Sequence, residues 1–194
     1  FKQRFPDYAS TDANSQWRIA RTMFEIIVTG QKVEHISDHE LLPALKLAYP
    51  ALDVSDRALL PDLSAFVIRS TARDGRMVLA LHHQSLVDWL ATTKSLLRVN
   101  VARGHQLLAK LTSKTNAVRC CRHVDFSDLS QEQAFELFKQ CSWANWLTSP
   151  AGVFGLAPAV QSGCVVYVKY LLSSGFPPDG IPAKGQPLEG ALFR

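Results

Sequence analysis

The chain has 194 residues and a mass of 21.5 kDa, enough for one domain or two small ones with a buried core. Apolar residues make up 47% and charged residues 20% of the sequence, which argues against disorder, and a net charge of +4 is too small to require a nucleic-acid or membrane partner. No apolar run approaches the roughly 20 residues of a transmembrane helix. Because the first residues lack an initiator Met and a signal peptide, we expect a piece of a longer protein.

Two helices are predicted in the first fifty residues. Apolar residues recur at three- and four-residue steps from Trp17, which predicts a helix that stops at Gly30. Ser37 and Glu40 have the spacing of a capping box, which predicts the start of a second helix. Pro43 removes one hydrogen bond in the second turn, so we expect a distorted start.

The next segments predict a third helix and a β-hairpin. The helix is expected over 55–67. Extended apolar segments at 66–71 and 77–82 are joined by a loop that contains Asp74 and Gly75, a pair that favours a tight turn. Three helices followed by a hairpin is the order of a winged helix.

Three further helices are predicted from apolar periodicity and capping patterns. One covers 85–97, with Trp89 and Leu96 among its inward-facing residues, and another covers 103–114. A second capping box at Ser130 opens a third. The fold class expected is therefore mainly α, with a helical connector between the winged helix and the C-terminal part.

The four cysteines do not have the spacing of a metal site. Cys120 and Cys121 are adjacent and near His123, but the paired C-x(2–4)-C ligands of a structural zinc site are absent. With Cys141 and Cys164, they are predicted to be reduced intracellular thiols. We therefore expect no bound metal.

One segment resembles a known family of signalling proteins. Residues 81–90, Leu-His-His-Gln-Ser-Leu-Val-Asp-Trp-Leu, resemble the winged-helix signature of STAND-class signalling ATPases, in which a strand delivers a His and a helix continues through Ser, an acidic residue, an aromatic residue and Leu. Residues 24–28 and 36–41 are similar to that family's preceding helices. Residues 104–109 look like the sequence after the winged helix in ankyrin-bearing members, most notably the TANC scaffold family.

A second segment resembles an ankyrin repeat. Residues 159–175 combine small residues, an interhelical Gly, an apolar helix and a Leu-Leu-x-x-Gly stop. Residues 184–191 look like a degenerate start of the next repeat, with Gln in place of the usual Thr and Glu in place of the usual His. The predicted organisation is a linker from an upstream domain over 1–15, a winged-helix domain over 16–114, a helical connector or cap over 115–150, and an ankyrin-like repeat with the start of another over 151–194.

The resemblance implies a nucleotide-sensing role for His83, because the corresponding histidine of the family faces the β-phosphate of bound ADP and locks the inactive arrangement. A histidine between a strand end and a helix N-terminus is a suitable place to meet phosphate. The alternative is a hydrogen-bonded structural histidine. The chain lacks a Walker A motif and the common catalytic motifs, so we expect no enzyme activity and no cofactor in these residues, with ADP or ATP bound elsewhere in the full-length protein.

The implied function is non-catalytic regulation and scaffolding. The chain would couple an upstream nucleotide-binding domain of the same polypeptide to ankyrin repeats that bind other proteins. The expected location is the cytoplasm, and the resemblance to TANC scaffolds implies a postsynaptic location or membrane association through partners. Candidate protein-binding residues are Trp143 and Trp146, which share a helix face, with Tyr167 and Tyr170; core packing is the alternative. A plain ankyrin-type adaptor, whose helices cap the solenoid, is compatible with this interpretation.

DNA binding is the competing function of a winged helix. The predicted recognition helix over 55–68 offers few basic side chains for base edges and phosphates. The hairpin carries Arg69, Arg73 and Arg76, which could touch phosphates, but Asp74 lies among them. Solvated arginines are the commoner explanation, so no nucleic-acid partner and no membrane insertion are expected.

Overall fold

The computed structural model describes residues 3, 5–7, 9, 15–51, 63–72, 74–141 and 163–173, in two units, Phe1–Leu108 and Ala109–Arg194. The described residues form seven helices and one pair of strands, which confirms the mainly α fold class. The elements are α1 (Gln16–Val33), α2 (Asp38–Ala48), β1 (Val67–Thr71), β2 (Met77–Leu81), α3 (Gln84–Thr92), α4 (Val101–Thr112), α5 (Ala117–Asp125), α6 (Gln131–Gln140) and α7 (Val165–Ser173). The division between the units lies within α4, a few residues before the expected boundary.

Helix α1 is longer than the sequence predicts. The Ser15 side chain accepts a hydrogen bond from the Arg18 N–H and caps its start. The predicted stop at Gly30 is wrong, because the helix continues to Val33. A Cβ at Gly30 would lie 2.7 Å from Cγ2 of buried Ile36, so this glycine allows close packing instead of ending the helix.

Part of the predicted linker packs against α1. The ring of Phe5 is buried, with its centroid 5.3 Å from that of Trp17. The Trp17 N–H donates to the Asp7 carboxylate over 3.3 Å. These two contacts fix residues 5 and 7 to the first turn of the helix.

Helix α2 begins where the capping box predicts. The Ser37 N–H donates to Oε2 of Glu40 over 2.7 Å, and α2 starts at Asp38. Pro43 is accommodated inside the helix, which runs on to Ala48. The box therefore fixes the start of α2 from local sequence alone.

The predicted hairpin is confirmed within one residue at its ends. Strands β1 and β2 are antiparallel, with Val67 opposite Leu81 and Thr71 opposite Met77. The helix predicted over 55–67 lies largely outside the described residues, but Val67 already belongs to β1, so the predicted helix end is wrong.

The hairpin loop depends on a single glycine. The Gly75 N–H donates to the Ala72 carbonyl over 2.9 Å, and the Ala72 N–H donates to the Arg76 carbonyl over 2.8 Å. Gly75 has a φ of 83°, a left-handed conformation that glycine adopts without steric cost. Asp74 does not share this conformation, so the turn differs from a two-residue type I′ loop, in which both central residues have positive φ.

Strand β2 ties the hairpin to the helices. Four of its five residues are buried. The Leu79 N–H donates to the Ile36 carbonyl over 2.9 Å, and Ser37 forms an antiparallel bridge with Val78. The connection between α1 and α2 is thus bridged to β2, and the hairpin packs on these two helices.

Helix α3 ends earlier than predicted. The sequence predicts helix to residue 97, but the helix ends at Thr92, and the Thr93 N–H donates to the Trp89 carbonyl. The Ser95 N–H then donates to the Thr93 hydroxyl, a local side-chain bond that competes with helix continuation. The next segment therefore leaves the helix axis.

The core of the second unit is built around one aromatic cluster. Phe138 of α6 lies with its ring centroid 5.2 Å from that of Tyr167 and 5.5 Å from that of Tyr170, both in α7. The sequence analysis names both tyrosines as candidate protein-binding residues. In the structure both are buried in this core. The core-packing alternative accounts for their position.

The second capping box is confirmed. The Gln133 N–H donates to the Ser130 hydroxyl over 3.3 Å, and the Ser130 N–H donates to the Gln133 side chain over 3.0 Å. Helix α6 ends at Gln140, and Trp143 and Trp146 lie outside the described residues. None of the described helices is long and apolar enough to cross a membrane.

Candidate functional site at the start of helix α3

His83 lies at the junction of β2 and α3. Strand β2 ends at Leu81, and His83 is the N-cap of α3, with extended backbone angles of φ −141° and ψ 135°. Its carbonyl accepts the first helical hydrogen bond, from the Leu86 N–H, over 3.0 Å. The capping geometry therefore fixes the backbone of His83 relative to the helix axis.

The imidazole of His83 is exposed and held by a neighbour. Its Nδ1 lies 2.8 Å from the hydroxyl oxygen of Ser85, the second residue of α3. This hydrogen bond orients the ring and leaves Nε2 directed away from Ser85. His82, the preceding residue, is also exposed. Both histidines can thus meet a ligand from solvent.

The start of α3 has the electrostatics of an anion site. A helix N-terminus carries partial positive charge, and the first turn of α3 contains no acidic residue. Asp88 lies on the next turn, where it accepts a hydrogen bond from the Gln84 amide over 3.1 Å. This hydrogen bond of the Asp88 carboxylate lies within the helix.

The hydrogen bond between Ser85 and His83 also invites a catalytic interpretation. A hydroxyl within reach of an imidazole is the first requirement of an activated nucleophile. Both side chains are exposed, however, and bulk water weakens the electrostatic interactions that would activate the hydroxyl. The geometry is better suited to binding an anion than to forming a covalent intermediate.

Two predicted core residues near this site are exposed. The side chain of Trp89 is 41% exposed and that of Leu96 is 63% exposed, so their predicted inward orientation is wrong. Leu90 and Leu97, on either side of this helix end, are buried. The early end of α3 moves residue 96 off the helical face on which the sequence pattern placed it.

The described hairpin arginines are paired with carboxylates. Arg69 Nε lies 2.5 Å from Asp38 Oδ2, and Arg76 Nε lies 2.6 Å from Asp74 Oδ2, with Glu34 Oε1 3.6 Å from Nη2 of Arg76. The backbone N–H and the side chain of Arg76 lower the pKa of Asp74. These pairs offset positive charge on the hairpin. Arg73 lies outside the described residues.

Glu25 of the first unit is a buried carboxylate that the sequence did not predict. Glu25 is buried in α1 and accepts a hydrogen bond from the Asn100 N–H over 3.0 Å. Arg21 and Arg103 each place a guanidinium nitrogen 3.5 Å from it. Burial raises the pKa of Glu25. A Glu inside an apolar helical run, with Arg four residues before it, was the available signal.

Gly104 packs beside Glu25, and His105 follows it in α4. A Cβ at Gly104 would lie 2.4 Å from the Glu25 carbonyl oxygen, so α4 approaches α1 at backbone contact. His105 is buried, and burial, with a smaller effect of Lys32, lowers its pKa from 6.5 to about 4. The segment 104–109 therefore has a structural role in this contact.

The four cysteines lie together although three separate segments of the chain carry them. All four are buried in the core of the second unit. Within the described ranges, no three His, Cys, Asp or Glu side chains are arranged to hold a metal ion.

Comparison of the chain with family models, curated proteins and solved structures gave no match.

Proposed function

We propose that this chain is a non-catalytic regulatory and scaffolding segment of a larger signalling protein. Its first unit acts as the winged helix of a STAND-type module, and its second unit begins an ankyrin-type scaffold. The observation that carries the proposal is the position of His83, exposed at a strand end, capping a helix and oriented by Ser85. An upstream nucleotide-binding domain would present the phosphates of ADP to this residue.

The fold of the first unit supports the proposal. Two helices precede the hairpin, a third follows it, and the bridge between Ser37 and Val78 anchors the hairpin to the helices. A ligand contact at His83 would therefore act on a packed unit and not on a loose loop. Such a contact could bias the whole unit between two arrangements, provided that the nucleotide binds them with different affinity.

The second unit supplies the scaffolding half of the proposal. Its α7 coincides with the apolar helix of the ankyrin-like segment, and Gly163 just before it has a φ of 73°, as an interhelical turn requires. Other proteins would bind to the ankyrin repeats. The proposed location is cytoplasmic, with a postsynaptic role if the likeness to TANC scaffolds extends to function.

The test is ADP binding by the protein with its upstream nucleotide-binding domain. His83→Ala should weaken ADP binding by about tenfold, or roughly 1.4 kcal/mol, because a charge-assisted hydrogen bond to phosphate is lost. Isothermal titration calorimetry at fixed ionic strength measures the change. The matched control is His82→Ala, which removes an equally exposed neighbouring imidazole.

The control decides between a site and a general charge effect. If only His83→Ala weakens binding, His83 is the phosphate contact. If both variants bind ADP like the parent protein, the histidine is structural and the nucleotide-sensing role is withdrawn. Absence of ADP binding in every variant would leave the first unit as a structural adaptor and move the function to the ankyrin-like surface.

DNA binding is not favoured by the hairpin. Arg69 and Arg76 are paired with the carboxylates of Asp38 and Asp74, so their positive charge is offset by neighbouring negative charge. We expect no salt-dependent affinity of the chain for duplex DNA in a fluorescence anisotropy titration. A steep loss of affinity with rising salt concentration would contradict this expectation, since it reports counterion release from phosphates.

A further inference from the structure

The sequence contains two places at which glycine follows aspartate. One is Asp74 with Gly75 in the hairpin loop, and the other is Asp179 with Gly180, which lies outside the described residues. In such a pair the backbone nitrogen of the glycine can attack the side-chain carboxyl of the aspartate, because glycine has no side chain to hinder the approach. The product is a cyclic succinimide, and its hydrolysis gives isoaspartate. The hairpin loop therefore contains the reacting groups of a self-modification.

The hairpin loop exposes this pair to water. Asp74 and Gly75 are both exposed. A Cβ built on Gly75 would have no described atom within 4 Å beyond its chain neighbours. No packed side chain would therefore obstruct ring closure, and water can reach the succinimide to hydrolyse it.

One residue holds both oxygens of the Asp74 carboxylate. Oδ1 accepts a hydrogen bond from the backbone N–H of Arg76 over 3.1 Å, and Oδ2 accepts one from Nε of Arg76 over 2.6 Å. Hydrogen bonds between two charged groups are among the stronger ones in proteins. Together they oppose rotation of the carboxyl group toward the Gly75 nitrogen.

The attacking nitrogen is engaged as well. The Gly75 N–H donates to the Ala72 carbonyl over 2.9 Å, and the Ala72 N–H donates to the Arg76 carbonyl over 2.8 Å. The nitrogen must give up its proton when it bonds to the carboxyl carbon, so this hydrogen bond has to break first. Opening of the loop therefore releases both reacting groups.

The ion pair also opposes the chemistry itself. One carboxyl oxygen must leave as water, so the neutral acid is the reactive form. The backbone N–H and then the side chain of Arg76 lower the pKa of Asp74, which favours the unreactive carboxylate. Nη2 of Arg76 lies 3.6 Å from Oε1 of Glu34, the C-cap of α1, so the loop is also tied to the end of that helix.

We propose that Asp74 and Gly75 are a self-modification site at which isoaspartate forms when the hairpin loop opens, and that Arg76 is the residue that holds the site closed. In isoaspartate the backbone runs through the side-chain carboxyl, which adds a methylene group to the loop. The bonds between Ala72 and Arg76 could not keep their present spacing, so the modified hairpin would differ from the original. The modified chain would be a substrate for protein isoaspartyl methyltransferases, which recognise this linkage.

The reaction has two balanced steps and needs only water. In the first, the Gly75 nitrogen bonds to the carboxyl carbon of Asp74, and the N–H proton leaves with the carboxyl hydroxyl as one water. In the second, one water attacks a carbonyl of the succinimide ring, and the ring C–N bond breaks. Attack at the side-chain carbonyl restores aspartate, whereas attack at the backbone carbonyl gives isoaspartate. No electrons are transferred in either step.

The experiment measures isoaspartate at residue 74 during incubation of the folded 194-residue chain at neutral pH. Chymotryptic peptides are analysed by mass spectrometry with electron-transfer dissociation, which gives fragments specific for isoaspartate. Trypsin is avoided because it would cleave after Arg73 and Arg76. A synthetic peptide of residues 70–79 is the unfolded reference. The folded chain should react at least about tenfold more slowly than the peptide, because a hydrogen bond to a charged group must break first.

The variant Arg76→Gln tests the restraint. It keeps the backbone N–H but loses the bond from Nε and the positive charge, so isoaspartate should form about tenfold faster than in the parent. The same substitution in the peptide should leave its rate nearly unchanged. The matched control is Arg69→Gln, which removes another exposed hairpin arginine, one paired with Asp38 instead. It should react like the parent, and circular dichroism checks that each variant is folded.

The site at Asp179 is an internal reference, because its rate should be the same in the parent and in Arg76→Gln. Several results would overturn the proposal. A folded parent chain that reacts as fast as the peptide would show that the loop offers no protection. An unchanged rate in Arg76→Gln would remove the role of this arginine. Equal acceleration in Arg69→Gln, at Asp179 or in the substituted peptide would show a general effect in place of a restraint by Arg76.

Discussion

Replacing Gly104 by alanine should destabilise the first unit by about 3 kcal/mol. The added Cβ would lie 2.2 Å from the Thr29 hydroxyl oxygen and 2.4 Å from the Glu25 carbonyl oxygen. The second of these is backbone of α1, so it cannot move aside by a side-chain rotation. Helices α1 and α4 must separate, which weakens the hydrogen bonds that Val101 and Asn100 make with α1.

The sign of this effect distinguishes packing from helix propensity. Alanine in place of glycine inside an exposed helix stabilises by up to about 1 kcal/mol. Gly104 is inside α4, so propensity alone predicts a gain. Urea unfolding gives the free energy, and hydrogen exchange of α1 amides assigns the transition to the first unit. A stabilised Gly104→Ala variant would show that α1 and α4 are not in backbone contact.

Two further variants set the scale. Gly30→Ala also meets a close neighbour, but that neighbour is a side-chain methyl of Ile36, so relaxation is easier and the loss should be smaller than that for Gly104→Ala. Lys110→Ala alters an exposed position of the same helix and should stay within about 0.5 kcal/mol of the parent. The expected order of destabilisation is Gly104, Gly30, Lys110.

Elements defined by local interactions were predictable from the sequence. The capping boxes at Ser37 and Ser130 place the starts of α2 and α6 correctly, because the bonds that form each box lie within four residues of chain. The hairpin was predictable for the same reason, since Gly75 and the strands on either side determine its loop. The positions of these elements therefore follow from residues within or next to the elements themselves.

Features that depend on distant residues were not predictable in this way. A glycine at position 30 is typical of a helix end, but here Ile36 packs into the space that a side chain at this position would occupy. Trp89 has the apolar spacing of a core residue, yet it is exposed, because burial depends on which elements surround α3. Periodicity identifies an apolar face and does not show what covers it.

The candidate sites show the same limit. The sequence placed His83 between a strand and a helix, and the structure adds the hydrogen bond with Ser85, which local spacing could have suggested. The cysteine cluster was beyond sequence reasoning, because Cys121 and Cys164 share a buried core only when α5 and α7 pack together. A site formed by tertiary contact requires the fold before its residues can be associated.

His105 should make the first unit less stable in mild acid. It is buried in α4, and burial together with Lys32 lowers its pKa from 6.5 to about 4. The folded state therefore favours the neutral imidazole, and the contribution to stability is fully present above the unfolded-state pKa. As the pH falls through the folded-state pKa, that contribution is lost.

The size of the loss follows from the interval between the two pKa values. Between pH 6.5 and about 4, His105 is protonated in the unfolded chain but neutral in the folded chain. The free energy of unfolding therefore falls by about 3 kcal/mol in total over this interval, at 1.36 kcal/mol per pH unit. Glu25 acts in the opposite sense, because burial raises its pKa and its neutral form favours the folded state. A single unfolding profile contains both contributions.

The variant His105→Gln separates them, because it removes the buried titration and leaves Glu25 unchanged. Urea unfolding of both proteins from pH 7 to pH 4 should give curves whose difference changes by about 3 kcal/mol in favour of the variant as the pH falls. His39→Gln, at an exposed position of α2, is the matched control and should follow the parent curve. A constant difference between parent and His105→Gln across this range would mean that His105 is protonated equally in the folded and unfolded states. The contact between α4 and α1 would then have to admit a charged imidazole beside Lys32, which a buried position opposes because the ion would lose its hydration.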